Sequence, residues 1–121
     1  RPFMQQSIDQ LMNIVKNFCE DRDWDQFHNP KDLAIGMSTE ANELLDLFRF
    51  KSEQQMREMI NDMEKRERIS EELSDIFFFL LRFSQMYDFD MGDGLLHKIE
   101  KNNKKYPIEK SKGKNEKYTE Y

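Results

Sequence analysis

The sequence predicts an all-α protein, a bundle of four to five helices assembled as an oligomer. Three observations predict it: apolar residues recur at three- and four-residue intervals, capping-box spacings precede the periodic stretches, and no strand-type alternation occurs. The 121 residues, 37% hydrophobic and 36% charged, suffice for one globular domain and leave no room for a second, so residues 1–121 are expected to share one small core.

Ser7 and Gln10 have capping-box spacing, and Ile8, Leu11, Met12, Val15, Phe18 and Cys19 follow at helical intervals, which predicts a first helix over 8–21. Residues 22–31 carry large aromatics and Pro30 without helical period, so they read as an ordered loop, after which Asp32 is expected to cap the next helix. The second helix, 33–50, has the apolar stripe Leu33, Met37, Ala41, Leu44 and Phe48. Ser52 with Gln55 repeats the capping-box spacing and predicts a break near Lys51. Residues 53–68 are highly charged, yet Met56, Met59, Ile60 and Met63 keep a helical period. They form either a separate short helix or the first half of a long third one.

In the third helix proper, 69–87, Leu73, Ile76, Phe77, Leu80 and Ser84 share a face, with Phe78 and Leu81 well off it. An arc that wide needs cover on two sides, so a homodimer or homotetramer with this helix in the interface is expected. Asp90 and Asp93, around Gly92 and Gly94, mark a turn and cap before a short fourth helix with Leu95, Leu96 and Ile99, which Pro107 ends. Residues 107–121 are expected to be an extended or mobile basic tail.

Composition also excludes functions. The longest strictly apolar run, Ile76 to Leu81, falls far short of the ~20 residues a membrane span requires, so no membrane role is expected. The opening Arg1-Pro2-Phe3-Met4 has no signal-peptide pattern, and a cytoplasmic location is the expectation. Cys19 is the single cysteine, which rules out an intrachain disulfide and a cysteine-based zinc site. The net charge of −5 hides a basic 98–117 segment, with eight Lys against three Glu, on an acidic remainder. That balance suits a small polyanion held through metal, and no duplex nucleic acid partner is expected.

The acidic residues carry the chemistry. On a helical projection Glu40 falls between Leu33 and Leu47, with Glu43 at the edge of the same stripe. In the third helix Glu72 falls between Phe79 and Phe83, with Asp75 beside it. No Lys or Arg occupies the adjacent ridge positions, so charges inside these arcs call for a cation. Two such helices side by side bring four hard oxygen donors to one volume, which suits Mg²⁺, with Mn²⁺ as a substitute. A di-iron bundle would need Glu-x-x-His, and neither His28 nor His97 is preceded by Glu at that spacing.

Glu40-Ala-Asn-Glu43 followed by Glu72-Leu-Ser-Asp75 resembles the metal motif of the MazG-like, all-α nucleoside triphosphate pyrophosphohydrolases. Arg22-Asp-Trp-Asp-Gln-Phe-His28, Lys98, Asn102, Tyr106-Pro107 and Lys117-Tyr-Thr-Glu120 bring the resemblance nearest to the dCTP pyrophosphatase branch, over residues 8–120. The resemblance implies Mg²⁺-dependent hydrolysis of a nucleoside triphosphate, dCTP or a related one, to the monophosphate and pyrophosphate. The implied role is house-cleaning of the nucleotide pool by a helical dimer or tetramer. It assigns catalysis and metal binding to Glu40, Glu43, Glu72 and Asp75, and base contact to Trp24, His28, Phe50 and Phe79. Lys98 and Asn102 are implied as further substrate contacts. Phe50 and Phe79 stand where close relatives have Trp and Tyr, and Val15 replaces a His, which leaves the preferred base open. A dUTP or phosphoribosyl-ATP pyrophosphohydrolase and a non-enzymatic helical interaction module stay as alternatives.

Overall fold

The computed structural model describes residues 5–115 together with Thr119. Helix starts follow the local caps. Ser7 accepts from the Gln10 N–H at 3.1 Å while its own N–H donates to Gln10 Oε1 at 2.8 Å, and α1 runs Ile8–Asp21. A 3-10 turn, Asp25–Phe27, follows, and α2 spans Pro30–Phe48. Asn29, rather than Asp32, caps α2: its Oδ1 accepts the Asp32 N–H at 2.8 Å. Pro30 takes the first helical position, where its missing N–H costs nothing, and moves the start ahead of the expected one.

Ser52 and Gln55 form the second reciprocal box, at 3.1 and 2.7 Å, and open α3 (Glu53–Asn61). Asp62 then leaves helical geometry and its side chain accepts the Lys65 N–H at 3.1 Å, starting α4 (Met63–Met86). The charged 53–68 stretch is thus a separate helix plus the first turns of the long one. Asp90 accepts the Asp93 N–H at 2.9 Å and opens α5 (Met91–Lys105). One helical turn, α6 (Ile108–Ser111), lies where an extended tail was expected. It follows Pro107, whose fixed φ suits a helix start. The described residues hold six α-helices and no strand, so the all-α class holds, with α6 added to the expected four to five helices. None of them is long and apolar enough to cross a membrane.

The chain divides into two compact units, the first ending at Asp88 and the second beginning at Phe89. In the first unit α4 is the centre: α2 packs along it most extensively, and α1 and α3 pack on it as well. Cys19, Leu33, Met59, Ile69 and Leu81 form the buried apolar core. Glycine permits the α2–α4 approach, because a Cβ at Gly36 would stand 2.6 Å from the Phe79 ring.

The expected faces of α4 are corrected by this packing. Leu81 is 5% exposed within the single chain, and Phe78 packs its ring edge-on against Phe18 of α1, centroids 5.8 Å apart, so neither stands open as the helical projection implied. Leu73 and Phe77, assigned to the core stripe, remain exposed. A helical projection groups residues by face but does not say which neighbour each face meets.

Candidate active site

The acidic site sits on the α2–α4 seam. Gly36 of α2 meets Phe79 of α4, while Glu40 and Glu43 of α2 meet Glu72, earlier in α4, so the helices run antiparallel there. Each helix contributes acids three residues apart, which places them on neighbouring ridges of one face. Carboxylate oxygens of Glu40, Glu43 and Glu72 lie within 4.8 Å of one another, an arrangement that could hold a metal ion. Asp75 falls outside that trio but is close enough for its charge to act on both Glu40 and Glu72.

Electrostatics at the site are unbalanced. Glu40 Oε2 and Glu72 Oε2 are buried without a hydrogen-bond partner, and none of the ion pairs among the described residues reaches these acids. A hydrogen bond that the protonated Glu40 carboxyl donates to Glu43, burial, and the charges of Glu43, Asp75 and Glu72 push Glu40 up to about 7. Glu72 is raised too, first by burial and then by the Glu43 charge. Such a cluster accepts either protons or a cation, and hard oxygen donors favour a divalent one.

The same unit holds the aromatic loop after α1. The Trp24 N–H donates to Cys19 O at 3.0 Å, and Asp23, at φ 55°, bends the chain. Gln26 Nε2 ties the bend by donating to both Asp23 O and Asp23 Oδ2 at 3.0 Å. The half-exposed Trp24 ring stands edge-on to Phe18 and to His28, with centroids 5.5 and 6.1 Å away. His28 is half-buried, and its Nδ1 accepts from Arg82 Nε at 2.9 Å. Burial and the Arg82 charge lower its pKa against the pull of Asp25.

The remaining expected contacts are more scattered. Phe79 is half-buried against Gly36, as a wall on the seam should be. Phe50 lies past the end of α2 at φ 63°, 89% exposed, with the Arg49 guanidinium 4.7 Å over its ring. Lys98 is exposed on α5, and Asn102, half-buried there, uses its carbonyl to accept the Tyr106 N–H at 2.8 Å. Both belong to the second unit. Lys117, Tyr118 and Glu120 lie outside the described residues.

Sequence reasoning missed Arg82, which is 1% exposed and paired with Asp25, His28 and Gln85. A signal existed: Arg82 interrupts the apolar stretch from Ile76 to Phe83, and a charge at such a position must find partners.

Residues 35–121 match the model of the MazG-like family. The chain is 29% identical over 123 residues to mouse (Mus musculus) dCTP pyrophosphatase 1, covering 99% of this chain and 72% of that protein. It is 30% identical over 114 residues to the bovine (Bos taurus) dCTP pyrophosphatase 1, covering 94% and 68%. Among solved structures, a pyrophosphatase from Archaeoglobus fulgidus superposes with a TM-score of 0.78 at 28% identity, covering 88% of this chain and 99% of that one.

Proposed function

This chain belongs to the MazG-like family, and on that premise we propose that it hydrolyses dCTP or a related deoxynucleoside triphosphate to the monophosphate and pyrophosphate, with Mg²⁺, in a house-cleaning role. The family match and the dCTP pyrophosphatase relatives together support nucleoside triphosphate pyrophosphohydrolase activity. The observation that carries the metal dependence is the pair of buried, unpartnered oxygens, Glu40 Oε2 and Glu72 Oε2. A buried carboxylate without a donor is costly, and a divalent cation is the partner that the donor set fits.

In this reading Glu40, Glu43 and Glu72 hold the ion, with Asp75 completing the acidic face. A bound Mg²⁺ supplies positive charge at the phosphate oxygens and acidifies nearby water. The protein's part is to converge rigidly held carboxylates from two helices on the reacting phosphate. One of them takes the proton of the water that cleaves the α–β phosphoanhydride. Trp24 offers the base a stacking face, His28 a hydrogen bond, and Phe79 and Phe50 apolar walls. Lys98 and Asn102 are proposed as substrate contacts on the family pattern alone.

Pyrophosphate release measured over dCTP, the other deoxynucleoside triphosphates, dUTP and phosphoribosyl-ATP, with Mg²⁺ and with EDTA, tests the reading. We expect Mg²⁺-dependent turnover, highest with dCTP or a close relative. A preference for dUTP or phosphoribosyl-ATP would move the substrate within the superfamily. No turnover under any condition would favour a helical interaction module.

We also propose a homodimer or homotetramer, because Leu45, Leu73 and Phe77 of α2 and α4 leave an apolar surface that a single chain does not cover. Sedimentation equilibrium should give a multiple of 14.8 kDa. A concentration-independent species at the single-chain mass would remove the proposal.

A further inference from the structure

The buried guanidinium of Arg82 joins α4 to the aromatic loop through contacts with defined proton directions. Arg82 Nε donates to His28 Nδ1 at 2.9 Å, Nη1 donates to Gln85 Oε1 at 2.6 Å, and Nη2 bonds Asp25 Oδ1 in an ion pair. Arginine has five N–H donors and no acceptor, so His28 Nδ1 must present its lone pair and carry no proton. The neutral ring then keeps its single proton on Nε2. A second proton would go on Nδ1 and face the guanidinium directly.

We infer that Arg82 is a positioning residue: it fixes His28 as the neutral Nε2–H imidazole, so that the loop presents a hydrogen-bond donor to an acceptor atom on the nucleobase. The inference rests on the base-loop reading above. Four further observations support it. Arg82 is 1% exposed, so this fork is held by packing rather than by chance at the surface. Among the described residues Nδ1 has its partner in Arg82 and Nε2 has none, which leaves the donor for a ligand. The charged groups acting on the imidazole are Arg82 of α4 and Asp25 of the 3-10 turn. Burial and Arg82 outweigh Asp25 and keep the ring neutral. The indole of Trp24, 6.1 Å from the imidazole, sets a stacking surface in the same loop. The selected chemistry is therefore a base edge with a carbonyl oxygen or an unprotonated ring nitrogen. An exocyclic amino group, itself a donor, is rejected at this contact.

The test uses the full chain labelled with ¹⁵N-histidine, in which His97 is the one other signal and is assigned with His97→Gln. At pH 7 His28 should show a pyridine-like Nδ1 and a pyrrole-like Nε2. Arg82→Met should move both toward the averaged pattern of a free imidazole, and Arg82→Lys should not restore them, since an ammonium lacks the planar fork. In Arg82→Met, KM for the preferred triphosphate should rise about tenfold with kcat at saturation unchanged, the loss expected of one hydrogen bond. A protonated Nδ1 in the wild-type protein at pH 7 would overturn the inference, and that measurement needs no variant to fold. If Arg82→Met kept full base discrimination while Trp24→Ala lost it, the donor role would fall and the base loop would stand. If neither substitution changed discrimination, the base-loop reading itself would fall and take the donor role with it.

Discussion

Glu40→Gln, Glu43→Gln, Glu72→Gln and Asp75→Asn should each lower turnover by a factor on the order of 10² or more while the protein stays folded. Each amide keeps the size of the side chain and removes one negative ligand from the α2–α4 seam. Phosphoryl transfer depends on positioning and charge stabilisation, so the loss should appear in kcat and be only partly recovered by excess Mg²⁺. Folding should not suffer, because the acids repel one another in the metal-free protein: Glu43, Asp75 and Glu72 all raise Glu40. Glu58→Gln in α3 is the control, since Glu58 is exposed and its side chain accepts a 3.3 Å hydrogen bond from the exposed Gln54. Asp75→Asn is informative because Asp75 stands outside the 4.8 Å trio and acts on it through charge. Wild-type turnover in the Glu40 and Glu72 amides at limiting Mg²⁺ would make the cluster structural and leave the enzyme without its chemistry.

What the sequence disclosed, and what it did not, follows from the range of the interactions. Capping at Ser7, Ser52 and Asp90 is settled within four residues, so those helix starts were legible. Asp32 was misread as a cap because two polar residues flanking Pro30 compete for the role, and only the geometry at Asn29 decides between them. The acids could be singled out as candidates because each pair is a local i, i+3 pattern. That Glu40, Glu43 and Glu72 converge required the α2–α4 contact, which depends on Gly36 accepting the Phe79 ring. The exchange of roles between Leu73 and Leu81 lay beyond the sequence for the same reason: α1 docks on one side of α4. Arg82 was missed because its partners Asp25 and His28 lie 57 and 54 residues away in the chain.

Metal-free protein should lose stability as pH rises from about 4.5 to about 7, and Glu40→Gln should remove most of that loss. The ordinary Glu40 value is 4.5 and the folded value is about 7, so between the two the folded state binds a proton that the unfolded chain has released. Folding stability is then fully supported below the lower value and declines as pH passes through the upper one. Glu72 is raised as well and contributes in the same direction. His28, whose pKa is lowered, works in the opposite sense below 6.5. Subtracting the Glu40→Gln curve from the wild-type curve cancels that contribution and isolates the acid. The difference in Tm, measured in EDTA, should grow across the window and level off above it. Mg²⁺ binds the deprotonated cluster, so adding it at pH 8 should raise the wild-type Tm and raise that of Glu40→Gln much less. Parallel pH curves in EDTA, or equal stabilisation of both proteins by Mg²⁺, would mean that neither protons nor metal are taken up at these carboxylates.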